Sequence, residues 1–195
     1  VMMSLGEATF TANQIAITVE SLSYMPGTGF GVACTALVGH KIGEGNLKEA
    51  NEYAKTCAFL SLIFMSFCSA AFLIFPKFIV SLFVNKSEVE VIRLGILCIM
   101  VAAAEQPFMA LYLVFGGALK GAGDTKTPFY ISFIAAWAIR VPFMLYFIGH
   151  LKASVHYNWW ITAAQWAFQG IAIYLVFKKR FSHPKKLQNS YLVNE

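Results

Sequence analysis

Three ionisable side chains lie inside long apolar stretches: Glu20, Glu105 and Arg140. A charge at the centre of a bilayer costs at least about 2.5–3.5 kcal/mol on insertion scales, so each needs a partner or a watery cavity. Counted inward from the outer end of its own stretch, each lies roughly 14–18 Å deep at about 1.5 Å per residue. The shared depth predicts one polar cluster, with Arg140 neutralising a carboxylate as a structural ion pair. Desolvation disfavours the charged form of a buried carboxyl, so such a group can exchange a proton near neutral pH. When ionised, it can hold sodium or a cationic solute.

Helical spacing gives these groups neighbours. Asn13, Glu20, Tyr24, Gly27 and Gly31 share one face of the first stretch, and Glu105, Met109, Tyr112 and Gly116 share one face of the third, with Gln106 beside them. Ion coupling or substrate binding is expected of Glu20, Asn13, Tyr24, Glu105 and Tyr112. Asn158, Thr162, Gln165 and Gln169 line up on the fifth stretch and read as glue between helices. The run Met25-Pro26-Gly27-Thr28-Gly29 predicts a hinge at Pro26 and Gly27, because proline removes a backbone donor and glycine weakens a helix. Pro107 and Pro142 set similar weak points in the third and fourth stretches.

No catalytic or metal site is expected. There is no nucleophile–base pair and no HExxH spacing. The cysteines (Cys34, Cys57, Cys68 and Cys98) include no CxxC and read as small buried hydrophobes. The histidines (His40, His150, His156 and His183) sit near the ends of apolar stretches, where solvation accounts for them. The expected protein is not an enzyme and takes no cofactor beyond a coupling ion, H+ or Na+.

Positioning such groups falls to membrane helices. Of 195 residues, 58% are hydrophobic and 13% charged, against about 45–50% and about 25% in soluble domains. Five apolar blocks, about 8–38, 56–76, 94–119, 128–149 and 153–177, are each long enough to span a bilayer, and none alternates as a barrel strand would. The fold class is therefore all-α, a polytopic transmembrane bundle. Residues 1–181 form the membrane unit and 182–195 a polar cytoplasmic tail. The first block would reach about 46 Å as a straight helix against a core of about 30 Å, so a bent or partly unwound helix is expected there. The net charge of +5 comes from scattered lysines and arginines, without the basic stripe that nucleic acid requires.

Lysine and arginine divide ten to four between the two sets of loops, which makes the side holding the C-terminus cytoplasmic, in the plasma (inner) membrane. Trp159 and Trp160 then fall in the outer aromatic belt. At the helix ends, Asn46 is an N-cap with Glu49 as its reciprocal partner, Gly121 suits a left-handed C-cap, and Thr127 caps a helix that opens with Pro128. Five blocks with the N-terminus outside predict a further helix upstream of Val1, making the chain a fragment of a longer protein.

Three ordered motifs carry a family resemblance. They are Ala12-Asn13-Gln14-Ile15-Ala16 through Glu20-Ser21-Leu22-Ser23-Tyr24-Met25-Pro26-Gly27 to Leu37-Val38-Gly39-His40-Lys41-Ile42-Gly43, then Gly117-Ala118-Leu119-Lys120-Gly121-Ala122-Gly123-Asp124-Thr125, then Trp137-Ala138-Ile139-Arg140-Val141-Pro142. Together they resemble the multidrug and toxic compound extrusion (MATE) transporters, most closely the prokaryotic ones. The resemblance implies a twelve-helix fold in two six-helix lobes, with this chain supplying five spans of the C-terminal lobe and an N-terminal lobe as its missing partner. It implies secondary active efflux of cationic or amphipathic drugs or metabolites by proton or sodium antiport. Glu20 then occupies the eighth-helix carboxylate position. Some members carry a tenth-helix acid where this chain has Met109, one turn beyond Glu105. The alternatives are a lipid-linked oligosaccharide flippase of related architecture, or a membrane scaffold that transports nothing.

Overall fold

The computed structural model describes residues 7–84, 88–150 and 156–182. In chain order come α1 (Glu7–Gly43), α2 (Leu47–Ile74), α3 (Pro76–Ser81), α4 (Val89–Gly121), α5 (Lys126–Ile134), a π-helical stretch Ala135–Arg140, α6 (Val141–Met144), a second π-helical stretch Leu145–His150, and α7 (His156–Phe181). No strand occurs among the described residues, in agreement with the all-α expectation. Beyond Ser182, the predicted tail lies outside the described residues, as do Lys152 and His183.

Four helical stretches are long and apolar enough to cross a membrane: Leu47–Ile74, Val89–Gly121, Lys126–Phe147 and Tyr157–Phe181. The fifth expected span, the counterpart of α1, has ample length. Its Asn13, Glu20 and interspersed serines, threonines and glycines make it less apolar than the other four, so composition alone yields four spans where five were expected.

Helix α4 is the hub, packing against α1, α2 and α7 and burying more of its apolar length than any other span. Small residues permit this. A Cβ on Gly117 would sit 2.3 Å from the Gly31 carbonyl oxygen, and one on Gly121 would sit 2.4 Å from that of Thr35. Backbone thus meets backbone along α1 and α4, the close approach that small residues give membrane helices. Thr35 stitches this seam, its hydroxyl lying 2.9 Å from the Gly31 carbonyl and 3.0 Å from that of Gly117. Gly170 brings α7 equally close, since a Cβ there would fall 2.5 Å from the Phe108 carbonyl oxygen.

The prolines behave differently from one another. α1 passes through Pro26 as continuous α-helix, so the unwound hinge expected at Pro26 and Gly27 is absent. Hydroxyls of Ser21, Ser23 and Thr28 bond the carbonyls of Thr18, Glu20 and Met25 on either side of the proline, supplying local hydrogen bonds. Gly27 instead serves packing, with room for a Cβ limited to 3.0 Å by Leu113 and 3.2 Å by Met65. α4 likewise runs unbroken through Pro107. Pro142 is the proline that marks an irregularity, standing between two π-helical stretches that widen the turns around its missing donor.

Loop chemistry also departs from expectation. Asn46 caps α2 by accepting from the Glu49 N–H at 3.2 Å, but the Glu49 carboxylate turns to Lys41 at 2.9 Å rather than back to the cap. Lys41 also holds Glu44 at 2.8 Å. The hydrogen bond from Lys41 keeps the Glu44 carboxyl below the usual carboxylate range, and the bonds to Glu44 and Glu49 push the Lys41 ammonium up. After α4 the left-handed residue is Gly123 (φ 76), not Gly121, which remains helical. The cap of α5 is not Thr127: Asp124 accepts from the Thr127 N–H at 3.0 Å, and Arg180 at the end of α7 pairs with Asp124 at 3.0 Å. Trp159 is buried in the core at 3% exposure while Trp160 is 56% exposed, so only Trp160 is placed for an aromatic belt.

Candidate functional site

Packing of α1 on α4 brings the Glu20 and Glu105 carboxyls near enough for each to act on the other. Glu105 is fully buried, and neither of its oxygens has a well-aligned hydrogen-bond partner. Glu20 is half-buried. Two adjacent carboxyls in hydrocarbon cannot both remain charged without compensation. A shared proton, a sodium ion or a cationic solute would each supply it.

Arg140 is near enough for its charge to act on both carboxyls. It forms no ion pair within 4 Å with either, and its side chain is exposed at the end of the first π-helical stretch of the fourth span. The predicted Glu–Arg salt bridge is therefore not made. The π-helical stretch ending at Arg140 changes the angular spacing of residues, and the depth count had assumed regular helix.

The other expected site residues fall into separate places. Tyr24, one turn beyond Glu20, and Tyr112, two turns beyond Glu105, line a cavity of about 580 Å³ bounded by α1, α4, α7 and the fourth span. Neither carboxyl reaches its wall. Tyr112 hydrogen-bonds the Ser132 hydroxyl and stacks edge-on against Trp166 at 5.7 Å. Met109, fully buried, fills the turn of α4 between Glu105 and Tyr112. Asn13 is buried with an unpartnered Oδ1, but it lies about 10 Å along α1 from Glu20, outside the carboxyl level.

On α7, the stripe Asn158, Thr162, Gln165 and Gln169 is buried as its spacing predicts. Gln165 and Gln169 also line the cavity, and their Oε1 atoms have no hydrogen-bond partner. The glue reading is thus incomplete for this pair, whose amides are available to a polar guest. Thr28, Thr35 and Lys120 join the wall without having been singled out in the sequence. Helical spacing from Tyr24 finds Thr28 and, one residue off, Gly31 and Thr35, so the signal was present on α1. For Lys120 the signal lay on α4, four residues beyond Gly116 on the face of Glu105 and Tyr112.

Comparison with known proteins supplies the frame. The MatE family profile matches residues 1–145. The chain is 30% identical over 159 residues to "Probable multidrug resistance protein NorM" of Thermotoga maritima, covering 82% of this chain and 34% of that protein. It is 27% identical over 179 residues to the protein of the same description in Pseudomonas putida, covering 90% and 39%. The chain thus spans about a third of the length of these curated relatives. Among solved structures, the fold resembles the eukaryotic MATE transporter AtDTX14, with a TM-score of 0.81 at 18% identity over 94% of this chain and 41% of that one. It also resembles an inward-facing multidrug resistance MATE transporter of the MOP superfamily, with a TM-score of 0.77 at 17% identity over 92% and 44%. With a profile that covers most of the sequence, and a helical fold matched to those transporters, this chain belongs to the MatE family of integral membrane transporters.

Proposed function

We propose that the full-length protein containing this chain is a secondary active exporter of cationic or amphipathic solutes, driven by proton or sodium antiport. The observation that carries this reading is the Glu20–Glu105 pair, one turn from Tyr24 and two from Tyr112 of the cavity wall. When the pair is ionised, the coupling ion or a cationic substrate compensates it, and loss of either favours the other. Arg140, close but unbonded, adds a fixed positive charge that limits how tightly a cation is held. The substrate enters between this lobe and the rest of the protein, and the relatives' description as multidrug resistance proteins agrees with that use.

The test is efflux of ethidium or norfloxacin from cells expressing the full-length protein. Glu20→Gln should abolish export at unchanged expression, because the amide cannot take up and release a proton or pair with a cation. Undiminished export would remove Glu20 from the mechanism. The lysine and arginine distribution supports an orientation with the α1–α2 turn, the α4–α5 loop and the end of α7 on the cytoplasmic side of the inner membrane.

A further inference from the structure

Another cavity, of about 350 Å³, lies between α2 and the last turns of α7. These two helices flank α4 without forming an extensive contact of their own, so α4 floors an open groove. At its rim stand Lys55 and Lys178, both exposed and neither with its ammonium in an ion pair or hydrogen bond among the described residues. Of the other basic groups at this end, Lys41 is held by Glu44 and Glu49 and Arg180 by Asp124, while Lys48, Lys120, Lys126 and Lys179 do not line the groove. Half-buried Asn51 adds an amide to the rim, and no acidic side chain lines the groove.

Below the lysines the wall is aromatic. Phe115 of α4 packs on Phe177 with ring centroids 4.5 Å apart and on Tyr174 at 5.5 Å. Phe177 in turn packs on Phe181 at 4.4 Å. The groove therefore offers two cations and an amide where the helices leave the membrane, above an apolar trough running back into it.

We propose that this groove binds an anionic phospholipid of the cytoplasmic leaflet, its phosphate between Lys55 and Lys178 and an acyl chain along Phe115, Tyr174 and Phe177. Basic pockets between membrane helices on the cytoplasmic side suit acidic lipid headgroups. The lateral opening and the aromatic trough select a lipid over free phosphate, which would leave that wall uncovered. The leaflet assignment rests on the orientation argued above; the lipid contact itself does not depend on transport.

Native mass spectrometry of the full-length transporter tests the site with phosphatidylglycerol, cardiolipin and phosphatidylcholine as probes. Retained phosphatidylglycerol and cardiolipin adducts with none for phosphatidylcholine are expected. The double variant Lys55→Gln/Lys178→Gln should bind them about thirtyfold more weakly, and Lys55→Arg/Lys178→Arg should keep them. Equal binding by the glutamine variant, equal retention of phosphatidylcholine, or displacement of the lipids by millimolar inorganic phosphate would each overturn the proposal. A photoreactive phosphatidylglycerol, carrying a diazirine in its acyl chain, needs no variant. It should label Phe115 or the segment 174–181 of the wild-type protein, and labelling confined to other segments would equally overturn the site.

Discussion

Glu105 occupies the most demanding environment of any charged residue described here: full burial, a second carboxyl opposite, and no aligned donor for either oxygen. A residue kept there for stability alone would be better replaced by a neutral one, since an unpaired buried charge is costly. Glu105→Gln should therefore leave the thermal midpoint of the purified full-length protein unchanged or raised, while drug efflux falls to the level of cells lacking the transporter. A large loss of stability with efflux per folded molecule intact would reverse that assignment. Arg140 gives the opposite expectation. It is exposed and makes no ion pair, so Arg140→Gln should alter stability by no more than about 0.5 kcal/mol, read as a thermal shift in detergent. Sequence alone identified these three charges and expected them at one level, and the structure sets the two carboxyls near each other. It failed on Arg140 because reach and direction depend on the π-helical turns, which no residue spacing announces. Asn13 failed for a simpler reason: seven residues restore the helical face but move the side chain two turns along the axis.

At the level of the elements, helix type and approximate limits followed from the apolar blocks, and their ends did not. α1 and α4 both extend beyond their apolar blocks toward the loop side, to Gly43 and Gly121, because a helix continues through polar residues once its neighbours hold it. Prolines misled for a related reason. Pro26 and Pro107 sit in helices held tightly on their flanks, whereas the span containing Pro142 is mostly exposed and free to widen. The seam between α1 and α4 invites a direct test. Gly117→Ala places a methyl group 2.3 Å from the Gly31 carbonyl oxygen, with backbone rather than a flexible side chain in the way. A cost of about 1–3 kcal/mol is expected, measured as loss of thermal stability and of folded yield. Gly29→Ala, with open space around its Cβ position, is the control and should behave as wild type. Equal behaviour of the two variants would show that the helices are not in backbone contact.

For the whole molecule, the distribution of charge makes a prediction that is independent of transport. In a cysteine-free background, Glu44→Cys in the exposed α1–α2 turn should react with a membrane-impermeant maleimide only after cells are opened. Labelling of intact cells would invert the orientation, and with it the leaflet of the lipid groove. The overall bundle was legible because apolar length and loop charge are one-dimensional signals. The cavity was not, since it arises where four elements meet and draws Lys120 and Trp166 from positions with no periodic relation to Glu20.

The glycine seam also constrains how such a carrier can move. With main chain lying on main chain, α1 and α4 have no compressible layer between them, and sliding one along the other would drive carbonyl oxygens into Cα atoms. Along that seam the two helices form a single stiff unit. The loosely held fourth span, whose two wide stretches flank Pro142, has more room to move than either. A swing of that rod about the stiff unit would carry the Arg140 guanidinium toward or away from the acids.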